Sequence, residues 1–202
     1  IGTSFTHAFA GAEGEYFSKK TQVAMVNIDH SEFSKPGVSV DMALKMDASQ
    51  FFRDFSNIQN DYRNRNSHVD WLIKCKKILQ EKKVVKETMK SDPINSYYFI
   101  DCLNRCMTQS QILISDAGSA NYICSQAARL KFGQREITSG AFYSMGLSLP
   151  LAIGASASKP ETQVVAVTGD GSIELNIQEL RTMGQNNLNI KLFVINNGGY
   201  AS

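Results

Sequence analysis

No apolar run in this 202-residue chain approaches the roughly 20 residues a membrane-spanning helix needs. No stretch has the charged start and short apolar centre of a secretory leader either. Charge of one sign is also missing. Lys and Arg number 21 against 19 Asp and Glu, and a net charge of +2 gives no reason to expect nucleic acid or an anionic membrane as partner. Histidine is scarce (His7, His30, His68), and the four cysteines, Cys75, Cys102, Cys106 and Cys124, include no CxxC pair. That donor set is poor for zinc, so the expectation is reduced thiols in a cytoplasmic protein without disulfides. There is no G-x-x-x-x-G-K-[ST], which argues against a P-loop phosphotransferase. A Rossmann dehydrogenase would want a third glycine where Glu174 stands. No internal repeat or low-complexity tract occurs. What remains is a 43% hydrophobic, 20% charged chain, long enough for one large domain or two small ones.

The most informative stretch is Val164–Ser202. Val164–Thr168 and Ile190–Ile195 are β-branched apolar runs, short enough to be strands buried on both faces. Between them Ile173, Ile177, Leu180 and Met183 recur at helical spacing. The pattern predicts a strand–helix–strand crossover with parallel strands, whose carboxyl ends share one edge of the sheet. Asp170 and Asn197, 27 positions apart, should therefore lie close together. Ligands of open α/β sheets bind at that edge. Gly169 and Gly171 let the backbone approach a ligand, and the N–H groups of Gly171 and Ser172 open a helix, where a phosphate is favoured. A carboxylate, an amide oxygen and a backbone carbonyl are hard ligands suited to Mg²⁺ shared with a diphosphate. The same residues would also serve an ordinary β-α-β unit with a Gly-Asp-Gly turn and an Asn-Asn cap.

Gly169-Asp170-Gly171, the 27-residue step and Asn196-Asn197 resemble the thiamine diphosphate motif of the acetolactate synthase and pyruvate decarboxylase superfamily. The flanking N-I-Q-E-L-R-T-M and F-V-I-N-N-G-G-Y are similar as well. The resemblance implies an α/β fold: a parallel sheet flanked by helices, preceded by part of a Rossmann-like central domain. It implies Asp170, Asn197 and the Gly199 carbonyl as Mg²⁺ ligands, with Gly169, Gly171, Ser172 and Asn197 around thiamine diphosphate.

Three parts follow in chain order. Residues 1–58 resemble the later half of the superfamily's central domain. Strands are expected at the very start, at Thr21–Ile28 and near Val38–Val40, and a helix from Ala48. In acetolactate synthases that domain carries FAD on an arginine-bearing loop. The loop here reads G-T-S-F-T-H-A-F-A-G with no arginine, so FAD is not carried over. His7 and His30 have no sequence partner and read as surface residues. Residues 59–92 read as a linker, with a hinge at Asn60–Asn66 and one helix presenting Trp71, Leu72, Cys75, Ile78 and Leu79 on its apolar face. Residues 93–202 read as the cofactor-binding domain, with a helix starting at Asp92-Pro93 and strands at Gln111–Ser115 and Glu136–Thr138. Ser119 stands at another strand-to-helix turn, as a phosphate contact, a helix cap or both. By resemblance, Met145 is the wedge between the two cofactor rings, and the Tyr143 carbonyl holds the aminopyrimidine amine.

The implied chemistry is decarboxylation or carboligation of a 2-keto acid by a homo-oligomer, dimer or tetramer. The glutamate with which the superfamily activates its cofactor has no match among the glutamates here. With no initiator methionine at Ile1, the chain is expected to be part of a longer polypeptide. The rival reading is a non-catalytic α/β module that keeps the fold without the cofactor, and the intact Asp170 and Asn197 argue against it.

Overall fold

The computed structural model describes residues 1–4, 21–58, 68–90 and 93–200, and its contacts divide the chain into two units, Ile1–Lys76 and Lys77–Ser202. The expected hinge at Asn60–Asn66, His7 and most of the arginine-free loop lie outside the described residues.

In the first unit, strand β1 (Ala24–Asn27) pairs in parallel with β2 (Met42–Lys45), Ala24 opposite Met42. The second strand begins later than the Val38–Val40 expectation. Its start is fixed by Val23, whose N–H donates to the Asp41 carboxylate at 2.7 Å and whose carbonyl accepts from the Asp41 and Met42 N–H groups. Ile1–Ser4 form no strand, although the Gly2 N–H reaches the Val26 carbonyl at 2.8 Å. His30 sits on an exposed 3₁₀ turn with its ring edge-on to Phe33. Helix α1 (Ala48–Ile58) follows Asp47, which accepts from the Ser49 N–H at 2.8 Å. Helix α2 (Val69–Glu81) runs across the unit boundary. Neither helix has a buried residue, and Trp71, Leu72 and Leu79 are exposed.

In the second unit, after the end of α2 and a 3₁₀ turn at Glu87–Met89, comes α3 (Ser96–Cys106). Its cap is Asn95, whose side chain accepts from the Tyr97 and Tyr98 N–H groups at 3.0 and 3.3 Å. The start expected at Asp92-Pro93 therefore moves to Ser96, because an asparagine oxygen satisfies the first-turn donors there. Then come β3 (Ile112–Ser115), α4 (Gly118–Ala127), β4 (Arg135–Ile137), α5 (Ser148–Ser158) and β5 (Val164–Gly169). The short α6 (Asp170–Ile173), α7 (Glu179–Gln185) and β6 (Ile190–Ile195) complete it. The sheet has the order β4-β3-β5-β6, every neighbouring pair parallel.

Side-chain alternation makes two cores from one sheet. Leu113, Val165 and Val167 face α3 and α4, packing on Ile100, Leu103, Ile123 and Cys124. Ile112, Ile114, Val164 and Ala166 pack on the other face against Ala152 and Ala155 of α5. Each fully buried Val, Leu or Ile contributes about 1.5–3 kcal/mol, so these central strands anchor the unit. Burial also pushes the Cys124 thiol up to about 12, helped by the nearby Glu136 charge. All four cysteines are free.

The amphipathic run 173–183 is not one regular helix. Four residues of α6 tighten into a 3₁₀ turn at Glu174–Asn176 before α7 begins. Residues Ile173, Glu174, Ile177 and Gln178 all have ψ between −25° and −30°, the tighter end of right-handed helix. Leu175 and Ile177 are exposed there.

Candidate functional site

Parallel pairing brings the carboxyl ends of β3, β5 and β6 to one edge, and a cleft of about 200 Å³ opens there. Ser119, Met145, Gly169, Asp170, Gly171, Ser172, Asn197 and Gly199 all line it. Pockets for whole small molecules usually run from about 300 Å³, so this cleft fits part of a cofactor.

Asp170 follows the last residue of β5. Its Oδ1 accepts from the Gly171 N–H at 3.0 Å. Its Oδ2 accepts from the N–H groups of Gly198 and Gly199 at 3.0 and 2.9 Å. Gly198 and Gly199 have φ of 85° and 126°, and this glycine-only turn aims both donors back at β5. Desolvation pushes the Asp170 carboxyl up, but the N–H donors of Gly171, Gly199 and Gly198 together outweigh it and hold its pKa below the ordinary 3.8. The group is ionised at neutral pH.

One terminal amide atom of Asn197 lies 3.2 Å from Asp170 Oδ1 and 2.7 Å from the Gly199 carbonyl oxygen. Turned nitrogen-inward, the amide donates to both. Turned oxygen-inward, it brings three oxygens together. Neighbouring ligands of an octahedral Mg²⁺ with bonds of about 2.1 Å stand about 2.9 Å apart, so this spacing fits a shared divalent cation. The donor set passes the chemical test for the ion.

At the phosphate end, Ser119 lies on the first turn of α4 and faces the cleft. It does not cap the helix, because Ala117 holds the N-cap position with no side-chain bond. Ser172 is buried, and the Gly171 carbonyl accepts from the Tyr200 hydroxyl at 3.4 Å. A Cβ on Gly171 would stand 2.8 Å from a Tyr200 ring carbon, so the tyrosine ring closes one side of the cleft. Because α6 has only four residues, a phosphate there would rely on nearby N–H groups, with little help from a macrodipole.

At the other end, Met145 lines the cleft and is 36% exposed. Tyr143 does not line it. It adopts left-handed backbone, φ 47°, and its ring lies 6.4 Å from that of Tyr122. Sequence reasoning missed Asp116, Asn176 and Tyr200. Asp116 is 1% exposed, and its Oδ1 accepts from the Ala117 and Gly146 N–H groups at 2.8 and 3.0 Å. Its Oδ2 accepts from the Thr168 hydroxyl at 2.8 Å and the Ser148 N–H at 3.3 Å. The one sequence signal was an aspartate directly after a buried strand.

Residues 116–202 match the model of the thiamine pyrophosphate enzyme C-terminal TPP binding domain. The chain is 32% identical over 200 residues to the acetolactate synthase large subunit of Buchnera aphidicola subsp. Schizaphis graminum, covering 98% of this chain and 34% of that protein. It is 36% identical over 106 residues to acetolactate synthase isozyme 1 large subunit of Escherichia coli K12, covering 52% of this chain and 19% of that protein. A probable acetolactate synthase large subunit of Methanocaldococcus jannaschii is 26% identical, again over 98% of this chain and 34% of its own length. The chain thus spans about a third or less of the relatives it matches. Among the described residues, no helix is long and apolar enough to cross a membrane.

Proposed function

The chain belongs to the thiamine diphosphate-dependent enzymes and is acetolactate synthase-like, and from that premise we propose that it forms the Mg²⁺- and diphosphate-holding half of a 2-keto acid carboligase or decarboxylase. The observation that carries the reading is the convergence of the Asp170 carboxylate, the Asn197 amide and the Gly199 carbonyl, in one cleft with Gly171, Ser172 and Ser119.

In this reading Asp170, the Asn197 amide oxygen and the Gly199 carbonyl hold Mg²⁺. The hydroxyl of Ser119 and the N–H groups around Gly169–Ser172 orient the diphosphate. Bound there, thiamine diphosphate would supply the electron sink that decarboxylation or carboligation of a 2-keto acid needs. Met145 shapes the ring end. The cofactor-binding domain is proposed to be residues 93–202, with 59–92 as linker and 1–58 as the end of a central domain. By the family resemblance, the activating carboxylate is proposed to come from an N-terminal domain of another chain in a homo-oligomer.

Calorimetric titration with thiamine diphosphate tests the reading. Binding with Mg²⁺ and none with excess EDTA is the expected result; equal binding in both, or in neither, overturns it. The purified chain alone is expected to release no CO₂ from pyruvate, and sustained release would show that it holds its own activating group.

A further inference from the structure

Gly146 is gripped from two sides. Its N–H donates to Asp116 Oδ1 at 3.0 Å, at the end of β3. Its carbonyl accepts from the Asn176 amide at 2.8 Å, on the 3₁₀ turn that follows α6. Its φ is +76°, and a Cβ there would meet Leu175 Cβ at 2.7 Å and the Ser172 carbonyl oxygen at 3.0 Å. Only glycine fits that backbone and that space. Two residues on, the Ser148 N–H returns to the same Asp116 carboxylate at 3.3 Å. Met145 thus sits directly before a residue tied to the end of β3 and to the 3₁₀ turn beyond α6. The Asn176 tie comes from the segment that carries Asp170, Gly171 and Ser172.

From this geometry we infer that Asp116 and Asn176 are positioning residues, a clamp on Gly146 that sets Met145 relative to the diphosphate and cation end of the cleft. The inference rests on the cofactor reading above and adds how the two ends of that site are coupled. Neither residue lines the cleft, so each acts through Gly146. The buried carboxylate is satisfied by four neutral donors, from Ala117, Gly146, Ser148 and Thr168. An amide in its place has one oxygen, and its NH₂ can still donate to the Thr168 hydroxyl, so Asp116→Asn loses either the Ala117–Gly146 pair or, turned the other way, the Ser148 bond alone. Asn176 is only half-buried, so Asn176→Ala removes the second tie from a folded protein.

The test compares the full chain with Asn176→Ala and Asp116→Asn, using amide hydrogen exchange and two calorimetric titrations with Mg²⁺. One titration uses thiamine diphosphate and the other inorganic pyrophosphate. Loss of one tie should speed exchange across 145–148 and weaken thiamine diphosphate by about tenfold, the scale of one hydrogen bond, with pyrophosphate within about twofold. A purely structural role would weaken both ligands together. Unchanged exchange in Asn176→Ala, or parallel loss of both ligands, overturns the clamp while leaving the cofactor reading intact. A wild-type chain that binds pyrophosphate but not thiamine diphosphate overturns both.

Discussion

At the end of β3 the Asp116 carboxylate is turned into the fold, while at the end of neighbouring β5 the Asp170 carboxylate faces the cleft. Both are held by neutral donors, and among the described residues neither forms an ion pair. An ionised carboxylate has about four lone-pair sites. Asp116 fills four, two on each oxygen. Asp170 accepts three backbone N–H bonds, and its fourth site, on Oδ1, faces the Asn197 amide, which fills it when turned nitrogen-inward. One aspartate is a fixture because nothing is left on it to offer. Its neighbour's fourth site is held only by a side-chain amide that can turn, so it is open to a ligand when the amide turns oxygen-inward.

The contrast can be broken by substitution. The largest effect is expected from Asp116→Ala, which strands buried donors of three segments and should cost about 3 kcal/mol or more in urea unfolding. A loss below about 1 kcal/mol would mean that water replaces the carboxylate at little cost. Asp170→Ala should do the reverse. Unfolding should change far less, while Mg²⁺-dependent thiamine diphosphate binding disappears from calorimetry. Unchanged affinity would remove Asp170 from the cation site. Tyr200→Phe is smaller still. It removes only the bond to the Gly171 carbonyl, and a stability loss of about 0.5–1 kcal/mol in thermal unfolding is expected.

The smallest effect is in pH. The Asp170 pKa is lowered, so its bonds are fully present above the ordinary 3.8 and are lost as pH falls through the lowered value. The amide resonances of Gly198 and Gly199 should therefore hold steady from about pH 7 to about pH 4 and move only below that range. Movement near pH 5 would mean that desolvation, rather than the glycine donors, controls the group.

Much of this was legible in the sequence, for identifiable reasons. The expectation of burial on both faces holds for β5, whereas β6 is an edge strand with only Ile190 buried and Lys191 and Val194 exposed. The crossover between them still brings Asp170 to Asn197. Asp116 was opaque because its partners lie 30, 32 and 52 positions away and contribute backbone N–H groups and a hydroxyl, which carry no motif. The break in 173–183 was hidden because hydrophobic spacing does not distinguish an α turn from a 3₁₀ turn over three residues. The late start of β2 was set by one aspartate, Asp41, rather than by the valines before it. Tyr143, whose carbonyl was expected at the ring end by resemblance, has left-handed backbone and lies outside the lining of this partial cleft.

The Asn197 amide has one more use. Its two orientations place either a nitrogen or an oxygen among the same neighbours, and only the second suits a cation. Loading the metal should rotate that group by half a turn while the backbone stays where it is. Its NH₂ proton signals would then act as an internal indicator of occupancy, readable without any added probe.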